Sequence, residues 1–416
     1  MMLGCIADDV TGGTDVAAAL RRRGLTVTLH FGPPTLDTPA PATDAVVIAL
    51  KTRTIPVDEA VAESLDCLAW LRRSGVELVY FKYCSTFDST TEGNIGPVAD
   101  ALLAAMGERT TVICPASPEH GRTMYQGYLF VGDSLLSETS MRNHPLTPMT
   151  DPLITRVLQH QTDGLVGLLP LQLVRAGVDA TAARLEELGS RHVRHVVVDA
   201  VDDADLQTVA AAASGLRLLT GGAGLAGALG SLLAGGSTPA DDLGAALPAG
   251  PAVVLAGSSS AATLEQVAKA SAQMHSYRLD PVAVPDPAEM LERALVWLRG
   301  HLDRAPVLVY ATASAEDRAA ARAAMGPDTA AHLERTLGVL ATEAVAQGAR
   351  RLVVAGGETS GAVVRALGLD RVVVAHEAAR GVPWCVAPDR PLALLLKSGN
   401  FGDPDLLVRA ATEVVP

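Results

Sequence analysis

The sequence predicts an α/β protein of two domains, each an open, mostly parallel sheet flanked by helices, with an active-site cleft between them. Three observations carry that expectation. Short β-branched runs alternate with Ala- and Leu-rich amphipathic runs, the pattern of βαβ units. The chain has 416 residues, more than one hydrophobic core usually sustains. Around Gly235–Pro251 the composition turns to Gly, Pro, Ser and Asp, which reads as a linker and places the domains at 1–240 and 250–416.

Taken in order, strands are predicted at Gly4–Ala7, Val27–Phe31, Ala45–Leu50, Val76–Tyr80, Thr110–Cys114, His195–Asp199 and Arg217–Thr220. Helices fill Gly13–Arg23, Val57–Ser74, Ile95–Met106, Thr181–Leu188 and Asp203–Ser214. The stretch Pro115–Thr150 reads as one long polar loop, and loops of that length inside a compact domain usually serve function. The pattern restarts after the linker. Strands are predicted at Ala252–Ala256, Val307–Tyr310, Leu352–Ala355, Arg371–Ala375 and Leu392–Leu396, with helices at Ala262–Gln273, Pro287–Arg299, Thr329–Gln347 and Ser360–Ala366.

Bulk properties exclude several functions. The formal charge of -13 opposes non-specific nucleic-acid binding, so no nucleic-acid partner is expected. No apolar run is long enough to span a bilayer, so no membrane partner is expected. Cys5, Cys67, Cys84, Cys114 and Cys385 are scattered, without C-x-x-C or zinc spacing, which reads as reduced thiols. The N-terminus lacks a basic segment before Asp8 and Asp9, so no signal peptide is expected and the predicted location is cytoplasmic. A homo-oligomer stays open.

Chemistry-bearing residues collect after predicted strands, where open α/β sheets bind ligands. The first strand leads into Asp8-Asp9-Val10-Thr11-Gly12-Gly13-Thr14-Asp15. Adjacent carboxylates there can bind a metal, orient a hydroxyl or act as a general base, while the structural alternative is helix capping by Thr11 or Asp15. The third strand ends in Lys51-Thr52-Arg53-Thr54, and an Arg can grip a carboxylate bidentately. The fourth ends in Lys82-Tyr83-Cys84-Ser85-Thr86-Phe87-Asp88-Ser89-Thr90, a cation, hydroxyls and an acid suited to a small polyhydroxy acid. Lysines are scarce, and Lys51, Lys82 and Lys397 all fall at or after strand ends. Arg122, Arg142 and His144 are second-line candidates in the long loop.

Three small-residue turns mark the second half: Gly257-Ser258-Ser259-Ser260, Gly356-Gly357-Glu358-Thr359-Ser360-Gly361 and Lys397-Ser398-Gly399-Asn400-Phe401-Gly402. Each can expose backbone N–H groups to phosphate, and together they favour a nucleotide site. There is no G-x-x-x-x-G-K-[ST]. Gly222-Ala223-Gly224-Leu225-Ala226-Gly227 fits the dinucleotide pattern but runs into the linker rather than a second strand, which favours a packed helix start.

In order along the chain, the Asp8–Asp15, Gly257–Ser260, Gly356–Gly361 and Lys397–Gly402 stretches resemble the motifs of the four-carbon acid sugar kinases. The runs 82–98 and 114–149 resemble the 3-oxo-tetronate (3-dehydrotetronate) branch of that family. The chain departs at Val10 and Gly13, where the family more often has Phe and Ala. The resemblance implies a sugar-acid domain followed by an ATP domain, and transfer of the γ-phosphoryl to the 4-hydroxyl of 3-oxo-tetronate. A decarboxylase would act on the product. D-threonate, L-threonate or D-erythronate are alternative substrates. A sugar-acid binding protein without catalysis and an NAD-dependent oxidoreductase are more distant alternatives. On the kinase reading, Arg53 and Lys82 neutralise the substrate carboxylate, and Asp8, Asp9 and Ser85 bond its hydroxyls. Tyr83, Cys84 and Arg122 complete that site, and Asp8 or Asp88 takes the proton. Ser258, Gly356, Gly357, Glu358, Thr359, Gly399 and Asn400 hold ATP, with Mg2+ bridging its oxygens and no protein ligands assigned to the metal.

Overall fold

The computed structural model describes residues 2–144, 146–235, 247–304, 306–311 and 313–412. Most of the Gly/Pro-rich linker therefore lies outside the described residues. The chain divides into two compact units, Met1–Ala240 and Asp241–Pro416.

The first unit holds β1 (Leu3–Ala7), β2 (Val27–Phe31), β3 (Ala45–Ala49), β4 (Leu78–Lys82), β5 (Thr111–Cys114), β6 (Arg122–Tyr125), β7 (Tyr128–Val131), β8 (Ser134–Leu135), β9 (Leu165–Leu169), β10 (Val193–Val198) and β11 (Leu218–Gly221). Its main sheet runs β2-β3-β1-β4-β11-β5-β10-β9, and every pairing is parallel. A parallel sheet is covered by helices on both faces, so β1 and β3 are buried at every position, as their unbroken apolar runs require. From β1 the chain moves to β2 and β3 on one side, then to β4 on the other. That reversal is a topological switch point, and it opens a crevice beyond the C-terminal ends of β3, β1 and β4.

Two expectations change here. The fourth strand is Leu78–Lys82 rather than Val76–Tyr80, because its pairing with β1 sets Lys82 opposite Ala7. Lys82 is thus the last strand residue and is buried, not a loop cation. The stretch Pro115–Thr150 is not a structureless loop. Within it β6, β7 and β8 form an antiparallel sheet, closed at Gln126-Gly127, both at positive φ (52° and 77°). Two left-handed residues in a two-residue connection match the twist of a hairpin. Strand β9 was not foreseen.

The glycine run 222–227 opens a helix, Ala223–Leu233. A Cβ at Gly222 or Gly224 would come within 2.7 Å of the Pro115 or Ala116 carbonyl oxygen. These glycines therefore let the helix start approach the chain beyond β5, and that close packing accounts for the pattern. A Cβ at Gly13 would come within 2.6 Å of the Ala49 Cβ, so the helix after β1 seats on β3 only with Gly there.

The second unit holds β12 (Ala252–Ala256), β13 (His275–Arg278), β14 (Val307–Tyr310), β15 (Arg351–Ala355), β16 (Arg371–Ala379), β17 (Val382–Val386) and β18 (Ala393–Lys397). The order is β13-β14-β12-β15-β18-β17-β16. It is parallel through β18, while β17 runs antiparallel to both its neighbours. β13 and β17 were not foreseen: each is short, and β13 is polar, so neither stands out by periodicity. The core packs Val254, Leu308, Val353, Trp384 and Leu395. The chain moves from β12 to β13 and β14 on one side, then to β15 on the other, so this sheet too has a switch point, between β12 and β15.

Candidate active site

The first cluster is built on three adjacent strand ends. Asp8 follows β1, and its backbone N–H donates to the Lys82 carbonyl of β4 (3.0 Å). Its own carbonyl accepts from Thr52 and Arg53 N–H (3.0 and 3.2 Å) in the segment after β3. Backbone bonds therefore place the three segments before any side chain acts. Asp9 is the cap of the helix Val10–Arg21, accepting from Gly12 N–H (2.9 Å) and from the Thr11 hydroxyl (2.7 Å). The helix cap, weighed at Thr11 or Asp15 as the structural alternative, is Asp9.

Arg53 is the hub. Its Nε and Nη2 donate to the two oxygens of Asp8 (2.9 and 2.8 Å), a bidentate fork. Nη2 also donates to Asp9 Oδ1 (2.6 Å), and Nη1 lies 3.5 Å from Asp88 Oδ2. Asp88 is held in turn by the Thr86 hydroxyl (2.6 Å). The loop carrying it turns at Phe87, a non-glycine residue at φ 61°, a backbone state that recurs at functional sites. Lys82 Nζ donates to the Tyr83 carbonyl (2.8 Å) and lies under the helix start, 3.2 Å from where a Cβ on Gly12 would sit.

The two neighbouring carboxylates are driven apart electrostatically. Burial pushes the Asp8 carboxyl above the usual range, only partly opposed by Arg53. Burial also acts on Asp9, but Arg53, Lys82, Thr11 and the Gly12 N–H outweigh it and hold that carboxyl below the usual range. Arg53 is pushed up: burial acts against its charge, and Asp8 and Asp9 overcome it. Burial pushes the Cys84 thiol up to about 12, so it is neutral near pH 7.

The structure joins Asp8, Asp9, Arg53 and Asp88 directly and sets Lys82 beneath them. Ser85 lies in the same loop, half-buried. Tyr83 is different: its ring is buried against Phe81 and Phe87, and its hydroxyl meets Thr220 at 3.0 Å. Cys84 bonds Thr86. Arg122 begins β6 and donates to the His120 carbonyl; among the described residues no bond joins it to Asp8, Asp9 or Arg53. Arg142 reaches the Ser137 carbonyl (3.5 Å), and His144 meets Thr147 (2.9 Å). Two supports were missed. Asn94 Nδ2 donates to the Thr52 and Ile55 carbonyls (2.7 and 2.9 Å), clamping the Arg53 segment. Gln161 donates to Ser89 Oγ (2.8 Å) and the Thr90 carbonyl and accepts from Gly96 N–H (2.8 Å). Nothing in their local sequence marks either residue.

The second cluster lies at the ends of β12, β15 and β18, neighbours in the second sheet. Ser258 N–H donates to the Ala355 carbonyl (3.2 Å), and Gly356 N–H to the Lys397 carbonyl (2.9 Å). Ser260 caps the helix Ala261–Ser271, and its hydroxyl donates to the Gly399 carbonyl (2.5 Å). Thr359 is buried, and a Cβ on Gly356 would come within 3.1 Å of both Ser258 N and Thr359 Oγ1. Gly357 and Glu358 open the helix Gly357–Ala366, and Asn400 is exposed. Lys397 is fully buried; its amine donates to Thr263 Oγ1 and to the Gly399 carbonyl (3.0 Å each), and burial pushes its pKa down to about 7.

The described residues hold no group of three or more His, Cys, Asp or Glu able to bind a metal. The three carboxylates of the first cluster already surround a guanidinium, which excludes a cation from their centre. The donor set therefore does not fit Mg2+, and a metal would be carried on nucleotide oxygens. No described helix is long and apolar enough to cross a membrane.

Family models describing a sugar-binding N-terminal domain and a nucleotide-binding C-terminal domain match residues 3–229 and 253–407. The chain is 49% identical to a 3-oxo-tetronate kinase of Cupriavidus necator, covering 99% of this chain and 97% of that protein. It is 47% identical to a 3-oxo-tetronate kinase of Burkholderia multivorans, covering 98% and 96%. Among solved structures, a Salmonella typhimurium LT2 protein described as a tRNA synthase matches with a TM-score of 0.88 at 41% identity, over 99% of both chains. The Haemophilus influenzae protein HI1011 matches at 0.79 and 40%, over 99% of this chain and 100% of that one. This chain belongs to the four-carbon acid sugar kinase family, and it is an ATP-dependent kinase.

Proposed function

We propose that the enzyme transfers the γ-phosphoryl group of ATP to the 4-hydroxyl of 3-oxo-tetronate, giving 3-oxo-tetronate 4-phosphate and ADP. The observation that carries this reading is the Arg53 hub at the switch point of the first sheet, with Asp8, Asp9 and Asp88 arrayed around it. The relatives named 3-oxo-tetronate kinases support the choice of acid.

Phosphoryl transfer needs positioning and charge neutralisation rather than covalent catalysis by the protein. Arg53 keeps one arm, Nη1, in only a loose contact, and that arm is free to turn to the substrate carboxylate. Lys82, buried beneath, adds positive potential rather than a direct bond. Asp9 and Ser85 orient hydroxyls. Asp8 is the favoured proton acceptor for the 4-hydroxyl, since its raised pKa gives it the greater proton affinity of the adjacent pair. Asp88 is the second candidate, its Oδ2 being less firmly engaged. In the other unit Ser258, Gly356, Gly357, Glu358, Thr359, Gly399 and Asn400 receive ATP, and Mg2+ travels with its phosphates.

The test is ADP release by purified enzyme with ATP, Mg2+ and a panel of four-carbon acids. The expected outcome is turnover with 3-oxo-tetronate well above that with D-threonate, L-threonate or D-erythronate. Preference for one of those acids would move the substrate within the family, and silence with all of them would end the reading.

A further inference from the structure

Lys397 is buried at the floor of the turn after β18, and among the described residues its contacts hold no carboxylate. Burying an ammonium without a counter-charge is costly, so its place calls for a reason. The reason lies in the carbonyl of Gly399. That oxygen accepts from three donors at once: Ser260 Oγ (2.5 Å), Thr263 Oγ1 (2.8 Å) and Lys397 Nζ (3.0 Å). Lys397 also donates to Thr263 Oγ1, which ties two of the donors together.

A trans peptide is planar, with its C=O and the following N–H pointing in opposite directions. Pinning the Gly399 oxygen into the protein therefore turns the Asn400 N–H outward. That N–H has no partner among the described residues, and Asn400 is exposed. Gly399 itself has no room for a side chain, since a Cβ would crowd Ser258 Oγ and Ser260. Ser258 and Gly356 border the same turn.

We infer that Lys397, with Thr263, is a positioning residue that fixes the Gly399–Asn400 peptide so that the Asn400 N–H serves as a preorganised donor to a nucleotide phosphate. This deepens the ATP-site reading and rests on it. Lys397 does not touch the nucleotide; it acts through the Gly399 carbonyl. Its hydrogen bond polarises that carbonyl, and through the shared peptide it strengthens the N–H as a donor.

The experiment compares ATP with adenosine, which keeps the base and ribose but lacks phosphate. Binding of both is measured calorimetrically to wild type, Lys397→Met, Thr263→Val and Thr263→Ser. Lys397→Met is expected to weaken ATP about tenfold and leave adenosine within about twofold. Thr263→Val is expected to weaken ATP by a smaller factor of about three, and Thr263→Ser to restore it. Should Lys397→Met fail to fold, Thr263→Val decides alone. Equal loss of ATP and adenosine would reduce the lysine to a packing role and overturn the inference. So would unchanged ATP affinity in a folded Thr263→Val. A wild type that binds no ATP at all would remove the nucleotide reading itself, an outcome distinct from either.

Discussion

The two strand-end clusters solve different recognition problems with different materials. In the first unit, side-chain charge dominates: one guanidinium satisfies three carboxylates, and a second cation lies beneath. In the second, the turns are rich in Gly, Ser and Thr, and the one buried lysine among the described residues bonds a carbonyl and a hydroxyl instead of an acid. A small acid offers a few oxygens at fixed angles, so geometry-specific side chains suit it. A polyphosphate offers many equivalent oxygens, so a nest of backbone N–H groups suits it, and glycines let the backbone come close. The contrast predicts that charge removal should injure the first cluster more than the second, and that steric change should tell mainly on the second.

The largest effect is expected from Arg53→Met. It leaves buried carboxylates without their counter-charge, and losing one partner of a buried pair costs about 3–5 kcal/mol. Thermal denaturation should show a large fall in Tm, and activity should vanish. Arg53→Lys should rescue little of either, because an ammonium cannot reproduce the fork on Asp8. A folded, active Arg53→Met would dissolve the idea of a charge-built first site.

Next comes Asp8→Asn. Loss of a general base typically lowers kcat by about 10²–10⁴. Because burial raises the Asp8 pKa, wild-type kcat should rise with pH through a value above the ordinary Asp range, as the base loses its proton. Asp8→Asn should abolish that limb. If kcat is unmoved and the limb persists, the role passes to Asp88, and Asp88→Asn should then carry the loss.

A smaller, steric effect tests the second cluster. In Gly399→Ala the added methyl meets Ser258 Oγ and Ser260. The KM for ATP should rise about tenfold, a shift near 1.4 kcal/mol, while the KM for the sugar acid stays put. A matched rise in both constants would break the division of labour between the clusters.

A last test reads the direction of a pH trend in stability. With a pKa near 7 when folded against 10.5 as a free side chain, Lys397 gives up its proton earlier in the native state. Below about 7 it is charged in folded and unfolded chains alike and contributes no slope. Between about 7 and 10.5 the unfolded chain binds the extra proton, so wild-type stability should gain as pH rises. The Tm difference between wild type and Lys397→Met should shift in favour of wild type across that window. A flat difference would mean that the amine is not held in a neutralising environment.

Much of this was legible in the order of residues. Alternation of apolar strands and amphipathic helices is a local signal, so the α/β class and most strands of both sheets could be read directly. The strand-end loops were legible for the same reason, since a βα unit must place its polar residues where the strand stops; Asp8, Asp9, Arg53 and Asp88 came from that logic alone. Other features depend on partners distant in sequence. That Arg53 binds Asp8, 45 residues away, rather than standing open to a ligand follows from β3 pairing with β1. That Lys82 is buried follows from β4 ending two residues beyond the predicted strand, where Lys82 pairs with Ala7, and a strand's register is set by its neighbours. The hairpin of β6 and β7 turned on Gln126 taking a left-handed conformation, which few sequence rules anticipate for that residue. Asn94, Gln161 and Thr263 gain their roles only from what folding brings beside them, as does the three-donor cradle around Gly399. Periodicity and turn chemistry are written along the chain, whereas pairing register and burial, which decide what each charge meets, exist only once the strands are side by side.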